Sequence, residues 1–199
     1  MDKDHHSGLT IIDFENKLGA YQPLRLYRDN RYLKRAAVLV PLVFNDNEWK
    51  ILFTRRTDIV ESHRGQVALP GGAYDPEDCD IESTALREAC EEIGLPAENV
   101  KLIGRLDDQI TVSNFLITPI VAQIIKPFRL NLSEVEVSRV FYIPLSWLAD
   151  RNNRRTELMI FPDGSEITLF FYKLFDGELL WGVTAEIVVR FLTILGMNE

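Results

Sequence analysis

From Ala36 to Phe44 the chain is almost continuously apolar and rich in Val and Leu. Asn45-Asp46-Asn47 interrupts it, and a second strand-like run covers Lys50 to Arg56. That order predicts strand, turn, strand. Ahead of it, Leu9, Ile11, Ile12, Phe14 and Leu18 recur at helical spacing and stop near Gly19, which predicts a short amphipathic helix. Residues 21–33 mix aromatic and charged positions without a period and read as a loop or extended segment. Gly65 to Gly72 reads as a short extended piece closed by the breaker Pro70-Gly71-Gly72. Residues 81–93 carry a helical period that Gly94-Leu95-Pro96 ends.

The second half continues in the same manner. Strands are expected at Val100 to Leu106, Phe115 to Ile125 and Val137 to Ile143, with a helical turn at Leu145 to Ala149. Glu157 to Phe161 and Ile167 to Phe175 flank Pro162-Asp163-Gly164 as a hairpin, and a last helix runs from about Thr184 to Leu195. Several mostly non-alternating strands with a few helices, and no repeat or low-complexity tract, indicate a single α/β/α or α+β domain. Its boundaries are drawn at 1–33 for an N-terminal helix and extended lead-in and 34–199 for the domain proper.

Composition changes this picture little. The 199 residues are 46% hydrophobic, enough for a substantial core, and 26% charged, which excludes a disordered tail. The longest apolar run is far short of the roughly 20 residues of a membrane helix, and the N-terminus lacks a signal peptide's apolar core. No membrane association is expected, and the expected location is the cytoplasm. The net charge of −8 argues against nucleic acid as a partner, since such surfaces rely on excess Lys and Arg. It leaves room for a small phosphorylated ligand if a metal or local arginines reverse the field. A homodimer is left open. Cys79 and Cys90 form no CxxC and imply no disulfide framework.

The most informative segment is Ala85 to Leu95. On a helix, Leu86, Ala89, Cys90 and Ile93 lie at i, i+3, i+4 and i+7 and form one apolar face. Cys90 is accordingly expected to be an inert core thiol. Glu88, Glu91 and Glu92 fall within an arc of about 100° on the other side. Like charges one turn apart destabilise a helix, so three carboxylates on one face call for a cation. Hard divalent ions such as Mg²⁺ or Mn²⁺ take oxygen ligands and work with few carboxylates plus substrate phosphates. Arg87 can pair with Glu91 at i,i+4, and Gly71-Gly72 permit close backbone approach to a ligand.

Together these residues resemble the Nudix box, GX5EX7REUXEEXGU with U aliphatic. Its last nine positions read Arg87-Glu88-Ala89-Cys90-Glu91-Glu92-Ile93-Gly94-Leu95. Six fixed positions would agree by accident in on the order of one such chain in 10⁵. Two departures stand out. Asp78 takes the place of the first Glu, with eight rather than seven residues before Arg87, and Ala89 is small for its aliphatic slot. The flanks Leu52-Phe53-Thr54-Arg55-Arg56 and His63 to Gly72 look like the coenzyme A diphosphatase subgroup, with Leu69 where that subgroup has Phe and Glu61 where it has Arg. Gly104 to Asp108, Thr118-Pro119, Glu134-Val135, Pro144-Leu145 and Trp181 to Ala185 are similar to it as well.

The resemblance implies a Nudix-type α/β/α sandwich with a mixed sheet, of class α+β. It implies metal-dependent hydrolysis of a nucleoside diphosphate linkage, and through the flanks cleavage of coenzyme A or its derivatives to 3′,5′-ADP and 4′-phosphopantetheine. Glu88, Glu91, Glu92 and the Gly72 carbonyl would hold Mg²⁺ or Mn²⁺, and Arg87 would orient them. The general base would be a carboxylate of the helix, for which Glu91 is taken, or a Glu of a later loop, for which Glu134 is chosen. Arg55, Arg56, Arg64 and Gly71 would contact substrate. Two rival readings are a diphosphatase for another nucleotide, such as ADP-ribose, NADH or a nucleoside triphosphate, and a non-catalytic ligand-binding fold.

Overall fold

The computed structural model describes residues 8–26, 33–58, 65–160 and 164–197. Strand β1 (Lys34–Asn45) turns back into β2 (Glu48–Arg56) through Asp46 and Asn47, whose φ of 52° and 62° gives a two-residue hairpin that follows the strand twist. On β1, Ala37, Leu39 and Val43 enter one hydrophobic cluster, while Val40 and Leu42 enter the other. Both faces of the strand are therefore covered, and this is why its sequence runs apolar without alternation.

The remaining strands are β3 (Val67–Ala68), β4 (Gly71–Ala73), β5 (Val100–Arg105), β6 (Gln109–Ile110), β7 (Phe115–Ile124) and β8 (Val137–Pro144). They assemble in the order β3-β2-β1-β7-β5, with β4 beside β1, β6 beside β7 and β8 beside β2. β1 and β7 are parallel; the other pairs are antiparallel, so the sheet is mixed. Helix α2 (Ile81–Ile93) covers one face through Ile81, Ala85, Ala89 and Ile93. Helices α1 (Ile11–Ala20), α3 (Leu145–Ala149) and α4 (Gly182–Ile194) supply Phe14, Leu18, Leu148, Val188 and Phe191 to the other. The result is the expected α+β sandwich of helix, mixed sheet and helices. A separate hairpin, β9 (Arg154–Ile160) with β10 (Glu166–Tyr172), flanks α4.

The structure differs from the pattern reading in particular places. Gly71 and Gly72 do not break the chain but form β4, paired with Ala37 and Val38 of β1. β6 and the 3₁₀ turns Ala97–Asn99 and Arg151–Asn153 are too short to carry a period. Ile12, counted with the apolar side of α1, is exposed. Among the described residues, no helix is long and apolar enough to cross a membrane. The breaker Pro162-Asp163 lies outside the described residues.

The largest correction concerns α2. Its inward arc is Ile81, Thr84, Ala85, Ala89, Glu92 and Ile93, and Cys90 is exposed. Residue 90 lies about 160° around the helix from residue 92, so burying Glu92 turns Cys90 outward. The small side chains of Ala85 and Ala89 bring the helix close to β1, and the acidic residues rather than Cys90 face the sheet margin. A native single-cysteine variant retaining Cys90 is therefore expected to react with a thiol reagent at a rate close to that of a free thiol. Protection until the chain is unfolded would contradict this orientation.

Candidate active site

The site is built where the N-terminal end of β1, strand β4 and α2 converge. Asp80 caps α2, its carboxylate accepting from the Ser83 amide at 2.7 Å, and Gly94 ends the helix with φ of 65°. Between these caps the helix lays Glu88 and Glu92 against Gly71-Gly72. A Cβ on Gly72 would sit 2.4–2.5 Å from the carboxylate of Glu88, and one on Gly71 2.3 Å from the Ala37 carbonyl. Only glycines let the three layers of backbone, carboxylate and backbone approach this closely.

Glu92 is only 5% exposed. Its Oε2 accepts from the Gly71 amide at 3.1 Å, and its Oε1 lies 3.5 Å from Nη1 of Arg56. Burial dominates its titration and pushes its pKa up to about 7, against the pull of the Gly71 N–H and Arg56. Burial also raises Glu88, opposed by Arg87 and reinforced by Glu91 and Glu136. Arg87 is the hub. Its guanidinium donates to both oxygens of Asp78 at 2.9 and 3.2 Å, to Glu88 and Glu91 at 2.9 Å each, and to the Ala73 carbonyl at 3.0 Å. Asp78, buried in its side chain, also accepts from the Thr84 hydroxyl at 2.8 Å and the Asp75 amide at 3.0 Å. These bonds, that from Arg87 foremost, hold its pKa well below the ordinary carboxylate range.

Asp78, the departure in the motif, is thus the anchor of Arg87. Glu134 is not brought to the cluster. It is exposed in the turn before β8, whereas the charge of Glu136, two residues on, acts on both Glu88 and Glu92. Nothing in the sequence separates these two acids except that Glu136 adjoins the strand. Arg56 reaches Glu92, and its Nε is buried without a hydrogen-bond partner among the described residues. Arg55, next along the strand, meets Glu178 at 3.5 Å and Asp58 at 3.7 Å. Arg64, His63 and Glu61 lie outside the described residues.

Among the described residues, five carboxylates (Asp78, Glu88, Glu91, Glu92 and Glu136) face two guanidiniums, Arg56 and Arg87. No three His, Cys, Asp or Glu there are spaced to hold a metal ion as they stand. The donor set still fits a hard divalent cation. All its ligating atoms are oxygens, its negative charge is only partly balanced, and Arg87 supplies to Glu88 and Glu91 the compensation that a cation would take over. Because the charge on Glu92 is paid for in desolvation, Glu92→Gln is expected to stabilise the metal-free fold by about 1–2 kcal/mol. Chemical denaturation in a chelating buffer measures this; a loss of stability would show that the carboxylate is compensated already.

A NUDIX domain family model matches residues 33–145. A protein of Enterobacter sp. (strain 638), named uncharacterized Nudix hydrolase NudL, is 37% identical over 190 residues, covering 96% of this chain and 97% of its own. Its namesake in Photorhabdus laumondii is 35% identical over 183 residues, covering 90% and 95%. Among solved structures, a MutT/nudix family protein from Enterococcus faecalis shares the fold, with a TM-score of 0.50 and 18% identity over 95% of this chain and 81% of that one.

Proposed function

The chain belongs to the Nudix family, and we propose that within it the protein hydrolyses coenzyme A or a derivative, releasing 3′,5′-ADP and a 4′-phosphopantetheine product. As a Nudix hydrolase it acts on a diphosphate linkage. The observation that carries the narrower reading is the pairing of β2 with β3. Thr54 lies opposite Ala68 and Arg55 opposite Val67, so the two flanking segments similar to the coenzyme A diphosphatase subgroup are neighbours, beside Glu92. Leu69, a departure from that subgroup, is a core residue and so bears on packing rather than on substrate contact.

In this reading Glu88, Glu91, Glu92 and the Gly72 carbonyl hold Mg²⁺ or Mn²⁺. Such an ion, when bound, would supply Lewis acidity and screening of the diphosphate charge. The chain's own residues do the rest. Arg87, fixed by Asp78, sets the carboxylates. The Gly71 amide and Arg56 hold Glu92 in its buried position, and Gly72 lets the Glu88 carboxylate lie against the backbone. Proton acceptance from water falls to a carboxylate on the rim. Glu91 on the helix and Glu136 in the turn just before β8 are the candidates, Glu136 replacing Glu134 because its charge reaches the cluster.

One observation favours a second reading, a diphosphatase for another nucleotide. Arg55 and Arg56 already face carboxylates, so either must leave its partner to meet the 3′-phosphate that distinguishes coenzyme A. The test is turnover of coenzyme A and dephospho-coenzyme A with Mg²⁺ and with Mn²⁺. The wild type is expected to prefer coenzyme A. Arg55→Ala or Arg64→Ala should lower kcat/KM for it roughly ten- to hundredfold with less effect on the dephospho form, as befits the loss of one charge-assisted bond. Arg56→Ala should impair both. Equal efficiency on the two substrates, unmoved by the first two substitutions, would establish the second reading instead.

A further inference from the structure

On the α4 side of the sheet, away from the acidic helix, a cleft of about 530 Å³ opens between residues 24–26, β6, β10 and α4. Leu24, Ile110, Ile167 and Phe170 share its walls with Thr168 and with the paired charges of Asp107, Glu186 and Arg190. Leu24 and Ile110 are largely exposed, which is unfavourable for apolar side chains at a cleft that stays filled with water. The wall from residues 21–26 is held rigidly. Asp107 accepts from the Tyr21 hydroxyl and the Leu24 amide, both at 2.7 Å, and Asp108 from Arg25 at 3.1 Å and the Leu26 amide at 3.0 Å. The Asp107-Asp108 pair thereby builds the cleft and leaves neither carboxylate to the ligand.

Within this frame one polar group is out of place. Gln109 lines the cleft, is only 6% exposed, and its Nε2 makes no hydrogen bond among the described residues. A buried amide donor without an acceptor destabilises a fold, so a ligand that supplies one resolves the cost. An amide beside one aromatic and two branched apolar side chains, Phe170, Ile110 and Ile167, matches one ring well. The amide donates to a ring nitrogen of adenine and accepts from its exocyclic amine, while aromatic and branched side chains contact the ring faces.

The cleft also stands at a suitable distance from the acidic centre. Gln109 pairs with Ile117, Ile117 with Ala36, and Ala36 with Ala73, whose carbonyl holds Arg87. Three inter-strand steps make about 14 Å. The row lies two residues from where β1 and β7 begin, so a nucleotide can pass over that end of the sheet from one face to the other.

We infer that this cleft binds the adenine ring of the nucleotide substrate and that Gln109 is the residue that selects it. The inference rests on the nucleotide-hydrolase reading for its substrate, but its test does not need turnover. Binding of AMP and of IMP, which lacks the exocyclic amine, is measured by calorimetry on wild type, Gln109→Leu and the near-isosteric Gln109→Met, alongside melting temperatures. The expected result is AMP bound at least tenfold more tightly than IMP by the wild type. Both variants lose that preference while melting at or above the wild-type temperature, since each removes an unpaired buried amide. Absence of AMP binding, or a preference that survives both substitutions, would overturn the inference. AMP discrimination without diphosphate cleavage would keep it and reject the hydrolytic reading.

Discussion

A carboxylate kept out of water needs a reason, and Glu92 sets the terms for the structure around it. It sits at the centre of the inward face of α2, and everything nearby limits the cost of keeping it there. The Gly71 amide gives it a donor, Arg56 a counter-charge, and the glycine pair brings the backbone near enough for both. The consequence reaches along the helix. With Glu92 turned inward, Glu88 follows one turn earlier against Gly72, Glu91 lies at the solvent edge, and Cys90 faces out. Arg87 gathers Glu88 and Glu91 and is itself held by Asp78. An arrangement of this kind is costly for stability alone and is understandable as a site arranged for a cation and a phosphate.

Much of this was legible in the residues. The strand pair, the bounds of α2 and the three-layer class follow from runs of apolar residues and from breakers, because a sheet buried on both faces leaves a strong signature. The acidic residues and Arg87 are readable because their spacing matches a motif. Cys90 was misread for a physical reason. An apolar count treats Cys and Leu as core and Glu as surface, whereas a functional helix buries its charges. Asp78 departs from the motif's residue type and spacing, and the role of a loop residue depends on where the loop returns. Glu134 and Glu136 share the turn before β8, and only the folded turn separates the exposed Glu134 from the half-buried Glu136. Gln109 carried no signal, as its interest lies in a missing hydrogen bond.

The two faces of the sheet divide the work in this account. The α2 face holds the charged chemistry, where acidic residues outnumber their guanidinium partners. The α4 face holds a cleft of mixed lining whose charged residues are paired and whose walls are tied by Asp107 and Asp108. Alternation along the strands makes this division possible, since neighbouring residues such as Leu39 and Val40 enter different clusters.

The central claim is that Glu88 and its neighbours form a divalent-cation site organised by Arg87. Its most direct test is a Mn²⁺ titration of the substrate-free protein followed by electron paramagnetic resonance, on wild type and on Glu88→Gln. The account predicts saturable binding to the wild type and at least a tenfold loss of affinity in the variant. Absence of saturable binding, or equal affinity in the two proteins, would contradict it.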